Sequence, residues 1–250
     1  MNPIGIIGGT GLDDPEFMGS AEETSVSTPY GDPSAPFLRG KLAGRDVVLL
    51  ARHGREHTIP PTQVNNRANI WALKELGCEQ VLVTAACGSL RAELGRRHFV
   101  IPDQFIDFTR LRAATFFDAF EPGVMNAKHT AMAEPFDQAL RQGLVRKGQE
   151  LGLIIHDGGT ILTIEGNRFS TRAESNMFRL WGADLVNMTV APECILANEL
   201  GLHYAAIAVV TDFDCWKTDE PPLRVEDLVN IFRQNVENLS RLILAVLPEV

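Results

Sequence analysis

The chain has 250 residues, of which 45% are hydrophobic and 22% are charged, so a globular fold is expected and disordered or fibrous classes are excluded. The net charge of −9 argues against a general binder of nucleic acid or anionic membranes, and an anionic ligand then requires a local cluster of donors. The cysteines show no CxxC spacing, and neither a signal peptide nor a membrane-spanning apolar run is present, which predicts a cytoplasmic protein.

The first half of the chain alternates short apolar runs with one periodic segment. The runs predict strands at residues 4–7, 37–42, 47–51, 81–85 and 100–105. Residues 65–76 have helical periodicity, and Gly77 is expected to end that helix.

The second half continues the same alternation. Helices are predicted at residues 135–151, 171–181 and 193–200 and from residue 225 to near the C-terminus. Strands are predicted at residues 160–164, 185–188 and 204–210. With no linker or repeat, residues 1–250 are expected to form a single α/β domain, with a mixed central sheet flanked by helices. The loops at the carboxyl ends of its strands are where a binding site is expected.

Two loops carry donors for an anion. Residues 8–11 (GGTG) follow the first strand, where glycines allow close backbone approach and Thr10 adds a hydroxyl. Arg52 and His53 follow the strand at 47–51, and a guanidinium beside an imidazole can grip a tetrahedral anion. Each signal alone also fits a simpler interpretation, namely a tight turn for GGTG and a solvated basic pair for Arg52 and His53.

Small residues follow the strand at 81–85. Residues 84–90 (TAACGSL) would leave backbone N–H groups free to line a pocket. A catalytic role for Cys87 is the alternative. Nothing in the sequence marks an activating base, however, so a buried structural thiol is predicted.

Two carboxylates follow the strand at 204–210. Asp212 and Asp214 are two positions apart, so an extended backbone points both side chains the same way. Paired acids at the end of a buried strand suit proton transfer to a heterocycle. The pair could also ligate a divalent ion, but no third ligand stands at metal spacing, so no metal site is predicted. A helix N-cap could account for one of the two acids.

Taken in order, these segments resemble the trimeric purine nucleoside phosphorylase family, in its branch that acts on methylthioadenosine. The resemblance runs almost end to end, and its motifs include GGTGL at 8–12, ARHGR at 51–55, ACGSL at 86–90, MAEPF at 132–136, TIEG at 163–166, RAES at 172–175 and TDFDCWK at 211–217. It implies the fold of that family and a reaction in purine and methionine salvage. Phosphate attacks C1′ of methylthioadenosine and yields adenine and methylthioribose 1-phosphate, with no metal or organic cofactor.

The resemblance also implies roles for residues at matching positions. The residues implied to hold phosphate are Thr10, Arg52, His53, Ala85, Ala86 and Thr189. The residues implied to hold the nucleoside are Phe169, Ser170, Met188, Asp212, Phe213, Asp214, Val225, Leu228 and Val229, with His129 from a neighbouring subunit. The contribution of His129 implies a homotrimer. Asp212 and Asp214 are the implied catalytic residues, and Asp212 is expected to give a proton to N7 of the leaving base.

Chemistry agrees with these residue types. An oxocarbenium-like transition state needs an anion below C1′ and a proton at the departing purine. Asp212 would have to carry a proton near neutral pH, which a desolvated site beside Asp214 can achieve. Carboxylates also favour adenine, because its N6 group is a donor. Relatives that act on 6-oxopurines have Asn in place of Asp212 and Glu in place of Ser170.

Other features leave alternatives open. Val225, Leu228 and Val229 share one helix face that suits a methylthio group, although the same residues could serve only as core. Ala85 stands where the family usually has a threonine, which removes one hydroxyl contact to phosphate. The alternatives are a 6-oxopurine or broad-specificity phosphorylase, a hydrolytic nucleosidase and a non-catalytic nucleoside-binding module.

Overall fold

The structure, a computed structural model, describes residues 1–9, 15–119, 128–219 and 225–250, without the side chains of residues 15, 16 and 225–234. In these residues eleven strands form one mixed sheet. The strands are β1 (Ile4–Gly8), β2 (Ala21–Thr24), β3 (Phe37–Leu42), β4 (Arg45–Ala51), β5 (Gln80–Ser89), β6 (Phe99–Ile101), β7 (Gln104–Asp107), β8 (Ile155–Asp157), β9 (Thr160–Thr163), β10 (Leu185–Asn187) and β11 (His203–Phe213). The helices are α1 (Asn66–Glu75), α2 (Gln138–Glu150), α3 (Arg172–Leu180), α4 (Val190–Glu199) and α5 (Val225–Val246).

The helices begin and end at residues whose side chains or backbone satisfy the free helix termini. Asn65 caps α1 and Asp137 caps α2, each through a side-chain oxygen that accepts a backbone N–H of the first turn. Thr171 and Glu174 form a capping box at the start of α3. Gly77 follows α1 with φ +84°, a conformation that favours glycine. None of the described helices has the length and apolar character that a membrane span requires.

The predicted class, an α/β fold with a mixed sheet flanked by helices, is confirmed. Two predicted strands are longer than expected, because β5 continues to Ser89 and β11 to Phe213. The predicted strand at 100–105 is wrong as one element: β6 and β7 are separate, with Pro102, which lacks an N–H for the ladder, between them. Helix α4 begins at Val190, three residues before the predicted start.

Strand β5 is the centre of the sheet. Its first residues pair in parallel with β1, as far as Val83, and its last two residues pair antiparallel with β10. Along its other edge β5 pairs in parallel with β11 over nearly its full length. In the described pairing, the edge of β5 between Val83 and Gly88 therefore has no strand beside it. This interruption leaves room for a cavity within the sheet.

The two faces of the sheet pack into separate apolar clusters. Alternate residues of β11 divide between them: Ala206 and Val210 pack into one cluster, whereas Ile207 and Val209 pack into the other. Helix α4 covers the first cluster, and α2 and α5 cover the second. The central strands are buried on both faces, which holds their carboxyl ends in fixed positions.

Candidate active site

A cavity of about 490 Å³ lies beside the interrupted edge of β5. Five consecutive residues of that strand, from Thr84 to Gly88, line it. The other lining residues are Gly9, Arg52, His53, His57, Thr58, Ile59, Pro60, Pro61, Ile164, Phe169, Ser170, Val186, Asn187, Met188, Thr189, Thr211, Asp212 and Asp214. These residues follow β1, β4 and β9, lie in or just after β10 and β11, or belong to the second half of β5, as expected for a site at the carboxyl ends of strands.

Arg52 follows β4 and is held by a network of buried hydrogen bonds. Its Nε and Nη2 donate to the two carboxylate oxygens of Glu193 at 2.5 and 3.0 Å, and its Nη1 donates to the carbonyl of Thr84 at 2.9 Å. The hydroxyl of Tyr204 donates to the same carboxylate at 3.1 Å. Arg52, Tyr204 and Glu193 are each at most 1% exposed. Arg52 is therefore one half of a buried ion pair, and not a solvated basic residue.

Electrostatics keeps Arg52 charged in this position. Burial by itself lowers the pKa of the guanidinium, but the charge of Glu193 and its hydrogen bonds outweigh that effect and raise the pKa. Burial and the same carboxylate hold the pKa of Tyr204 well above its usual range. Glu193 takes one N–H of Nη2 and the Thr84 carbonyl takes one N–H of Nη1, so one N–H on each Nη of Arg52 can be donated to a ligand.

His53 and Thr84 lie at the same end of the cavity. The Nδ1 of His53 lies 2.9 Å from the carbonyl of Ile59, which fixes this nitrogen as the protonated one. The His53 ring also contacts the ring of His57, with centroids 4.7 Å apart and the ring planes tilted by 41°. The Thr84 hydroxyl oxygen accepts the N–H of Gly9 at 3.3 Å, so its own proton can be donated to a ligand.

Helix α4 begins at the cavity with Thr189 as its N-cap. The Thr189 side chain makes no capping hydrogen bond. Instead, Asn187 Oδ1 accepts the backbone N–H groups of Thr189 and Val190, at 2.9 and 3.3 Å, and Thr163 Oγ1 accepts that of Ala191 at 3.0 Å. This substitution of partners leaves the Thr189 hydroxyl available to a ligand at the positive end of a helix.

The paired aspartates lie at the end of β11, after a register shift between Val210 and Asp212. Thr211 Oγ1 donates to Asp212 Oδ1 at 2.7 Å, which fixes that carboxylate. Asp214 is buried, and its Oδ2 has no hydrogen-bond partner in the described structure. Burial is the main reason why the pKa of Asp214 is raised. Burial therefore makes the charged form of Asp214 less favourable than that of an exposed aspartate.

Cys87 lines the cavity but lacks the properties of a nucleophile. The thiol is 1% exposed, and burial, with a smaller contribution from the charge of Asp212, raises its pKa. A thiol that resists ionisation cannot attack a substrate. The burial agrees with the predicted structural role.

The remaining wall of the cavity is largely apolar, and it is supported by hydrogen bonds from Arg112, which does not line the cavity. Met188 packs closely on Gly166, where an added Cβ would lie 2.7 Å from the sulfur. Arg112 holds this wall: it donates to the carbonyls of Met188 and Glu165 and forms a 3.1 Å ion pair with the Glu165 carboxylate. Phe169 completes the wall, but 53% of its surface is exposed.

Most of the predicted site residues meet in this cavity. Those that line it are Arg52, His53, Ala85, Ala86, Phe169, Ser170, Met188, Thr189, Asp212 and Asp214. Phe213 does not, because side chains alternate along the strand and its ring contacts Trp216 and Lys217 instead. His129 is exposed and lies outside the cavity of the single chain. Thr10 and the side chains of Val225, Leu228 and Val229 lie outside the described residues.

Sequence reasoning missed the partner of Arg52. Glu193 was predicted only as the first residue of the helix at 193–200. A usable signal was present: Glu193 is the one charged residue within residues 190–198, and a buried charge needs an opposite charge. The lining by Asn187 and by residues 57–61 was also missed, and no sequence signal points to it.

Comparison with known proteins gives the family. The family model described as "Phosphorylase superfamily" matches residues 3–248. The chain belongs to this superfamily. It is 51% identical over 247 residues to S-methyl-5'-thioadenosine phosphorylase of Danio rerio, a match that covers 99% of this chain and 88% of the relative. It is also 51% identical over 248 residues to the protein of the same name from Aedes aegypti, with the same coverage.

Solved structures of the superfamily share the fold of the whole chain. Methylthioadenosine phosphorylase from Schistosoma mansoni in complex with adenine has a TM-score of 0.93 at 40% identity, covering 100% of this chain and 92% of that one. A mutant of the adenosine/methylthioadenosine phosphorylase from the same organism, in complex with methylthioadenosine, has a TM-score of 0.92 at 40% identity, covering 100% and 91%. The described residues of this phosphorylase-superfamily chain contain no cluster of three or more His, Cys, Asp or Glu that could hold a metal ion.

Proposed function

We propose that this chain cleaves the glycosidic bond of 5'-methylthioadenosine with inorganic phosphate, to give adenine and 5-methylthioribose 1-phosphate. The observation that carries this proposal is the cavity itself, in which anion donors and a pair of aspartates line one continuous space. The methylthioadenosine phosphorylases that resemble the chain over nearly its full length support the choice of substrate.

Phosphate binds at the end of the cavity formed by Arg52, His53, Thr84 and Thr189. The backbone adds to this end as well: the N–H groups of Ala85 and Ala86 point to opposite edges of β5, so one of them faces the edge that has no strand partner. Ala85 has no hydroxyl to donate to phosphate, and we propose that the hydroxyl of Thr84 makes this contact instead. These donors are fixed before the ligand arrives, so little reorganisation accompanies binding.

The nucleoside lies along the remaining wall. Met188 lies under the ribose and Phe169 against the base, with Ser170 and the aspartates at the purine edge. Phosphate approaches C1′ from below as the bond to the purine breaks, and the positive charge that develops on the sugar is stabilised by the incoming anion. The departing base needs a proton, and no protein nucleophile takes part.

The two aspartates have different proposed roles at the purine base. Asp212 is anchored by Thr211 and faces the cavity, so it is the residue proposed to contact N7 and N6 of adenine. Burial raises the pKa of Asp214, so a second negative charge beside Asp212 is disfavoured. A proton shared by the two carboxyl groups can then pass to the leaving base.

A homotrimer and a cytoplasmic location are also part of the proposal. More than half of the Phe169 surface is exposed although the residue lines the cavity, which is what a site completed by a neighbouring subunit would leave open. His129, which is exposed as well, is the proposed contribution from that neighbour. Size-exclusion chromatography with light scattering measures the oligomeric state, and a monomer in that measurement would contradict this arrangement.

An activity assay tests the proposed reaction. Methylthioadenosine and inosine are each incubated with the chain, with and without phosphate, and the free base and sugar products are quantified. Adenine and methylthioribose 1-phosphate should form only when phosphate is present, and inosine should react far more slowly. Release of adenine in phosphate-free buffer would instead identify a hydrolase, and no turnover of either nucleoside would identify a binding module.

A further inference from the structure

The anion end of the cavity has an unusual charge balance. Arg52 is the only arginine or lysine among the described residues that line the cavity. Both carboxylate oxygens of Glu193 lie within 3.0 Å of its guanidinium, and Glu193 is fully buried. The charges of the two side chains therefore cancel next to the place where phosphate is proposed to bind.

Glu193 is also held in position independently of Arg52. Its carboxylate accepts the Tyr204 hydroxyl, and its backbone belongs to the first turn of α4, four residues after Thr189. Residues four apart share one helix face, so the same face of α4 directs Thr189 to the cavity and Glu193 to Arg52. The carboxylate cannot turn away from Arg52 when a ligand arrives.

We propose that Glu193 is a positioning residue that acts through Arg52 and makes the phosphate site electrically neutral. Arg52 then offers phosphate two oriented N–H groups without a net charge, and the hydroxyl groups of Thr84 and Thr189 donate to phosphate as well. The Nε2 of His53, on the other side of the ring from its Nδ1–H, can accept from a hydroxyl of the phosphate. This inference rests on the proposed function, because it concerns how the same site treats its phosphate.

Neutrality has a chemical purpose in this reaction. Phosphate is the attacking group, and an oxygen paired with an uncompensated cation donates its electrons less readily. A sugar phosphate must also leave the same site after each turnover. With Glu193 in place, phosphate is oriented but not trapped by a full buried charge.

A double-mutant cycle on phosphate affinity tests this proposal. The variants are Glu193→Gln, Arg52→Gln and the two combined, and the dissociation constant of inorganic phosphate is measured by titration calorimetry. Glu193→Gln should bind phosphate about tenfold more tightly or better, because the buried guanidinium then lacks a counter-ion, and should turn over more slowly. Arg52→Gln should weaken phosphate binding by about tenfold or more, because an unpaired buried carboxylate remains. The combined variant should lie between the two.

Two controls separate charge from folding. Asp184→Asn breaks the 2.7 Å ion pair with Arg91, which lies away from the cavity, and should lower the melting temperature without changing phosphate affinity. Arg91→Gln removes the cation of the same ion pair and should likewise leave phosphate affinity within about threefold of the parent. The KM for methylthioadenosine should stay within about threefold in every variant, since the charge change is confined to the phosphate end.

The outcomes are distinguishable. Weaker or unchanged phosphate binding in Glu193→Gln would overturn the inference, as would a combined variant that binds phosphate as poorly as Arg52→Gln. If the single variants do not fold, the combined variant decides, because it contains no unpaired buried charge. Retained phosphate binding supports the inference and its loss refutes it. A parent chain that needs no phosphate would refute the proposed function itself.

Discussion

Replacing Asp212 with asparagine tests the assignment of the aspartates most directly. In the structure the Thr211 hydroxyl donates to Asp212 Oδ1 at 2.7 Å. In Asp212→Asn the amide oxygen keeps this hydrogen bond, so the amide nitrogen is the atom that faces the purine. That nitrogen can donate to N7, but it cannot pass on a proton, and it cannot accept from N6 of adenine.

These two losses give the expected magnitude. Loss of a positioned proton donor lowers the rate by about 10²–10⁴-fold. An unpaired N6 donor in a desolvated site costs about 1–3 kcal/mol more. Asp212→Asn should therefore lower kcat/KM for methylthioadenosine by about 10³-fold or more, which corresponds to roughly 4 kcal/mol.

Steady-state kinetics on methylthioadenosine and inosine, at varied phosphate, measure this effect. The KM for phosphate should change little, because Asp212 is not part of the anion end of the cavity. Thr211→Val, which frees the carboxylate without removing it, should cost about tenfold and serves as the matched control. Adding Ser170→Glu to Asp212→Asn should raise the low activity on inosine. Parent-like cleavage of methylthioadenosine by Asp212→Asn would show that this carboxylate is not the proton donor.

Three further changes test other parts of the site. Gly166→Ala places a Cβ 2.7 Å from the Met188 sulfur at a φ of +75°, so it should raise the KM for nucleoside more than that for phosphate; equal kinetics would contradict the packing. The raised pKa of Asp214 means that folding favours its protonated form, so stability falls as pH rises from the usual 3.8 through the raised value. Urea unfolding at several pH values should show that the free energy of unfolding of Asp214→Asn rises relative to that of the parent over this pH range. A difference that stays constant with pH would refute the prediction. A thiol reagent should label exposed Cys215 and spare buried Cys87, as mass spectrometry of the native protein would show; fast labelling of Cys87 would be incompatible with its burial.

Local chemistry explains why the sequence predicted most elements well. Residues 37–42 are the observed β3, because an apolar run ends at the turn of Ala43 and Gly44, both with positive φ. The helix at 171–181 is recovered as α3 with its two caps, since the capping box is a signal of residue type and spacing. Such short-range patterns do not depend on the rest of the chain.

Elements fixed by distant partners were harder to predict. Strand β5 runs on through Ala86 and Cys87 because β11 supplies its hydrogen bonds, although small residues and glycine normally mark a turn. The polar strand β2 (Ala21–Thr24) was missed because it forms only by pairing with β3, and its sequence has no apolar alternation. Both depend on which strand lies alongside, and one sequence does not reveal that.

In the candidate site, too, residues with a local sequence signal were predicted and contacts between distant residues were not. Arg52, His53 and the aspartates were found because charged residues directly after apolar strands have few structural explanations. The ion pair of Arg52 with Glu193 spans 141 positions of the chain, so spacing gives no hint of it. Which aspartate is buried also depends on the whole fold: Asp214 is buried and its pKa is raised, whereas the assignment of the proton to Asp212 stays a prediction.

The register shift in β11 limits how the purine end of this cavity can diverge among descendants of the chain. Upstream of the shift, Val210 is opposite Cys87, whereas beyond it Asp212 and not Thr211 is opposite Gly88. Deleting the extra residue would restore regular pairing and turn the following side chains to the other face of the sheet. Point substitutions at 212 and 214 can therefore alter base preference while the buried part of β11 stays intact. An insertion or deletion there would remove both aspartates from the cavity at once, so new specificities are expected to arise at constant length in this segment.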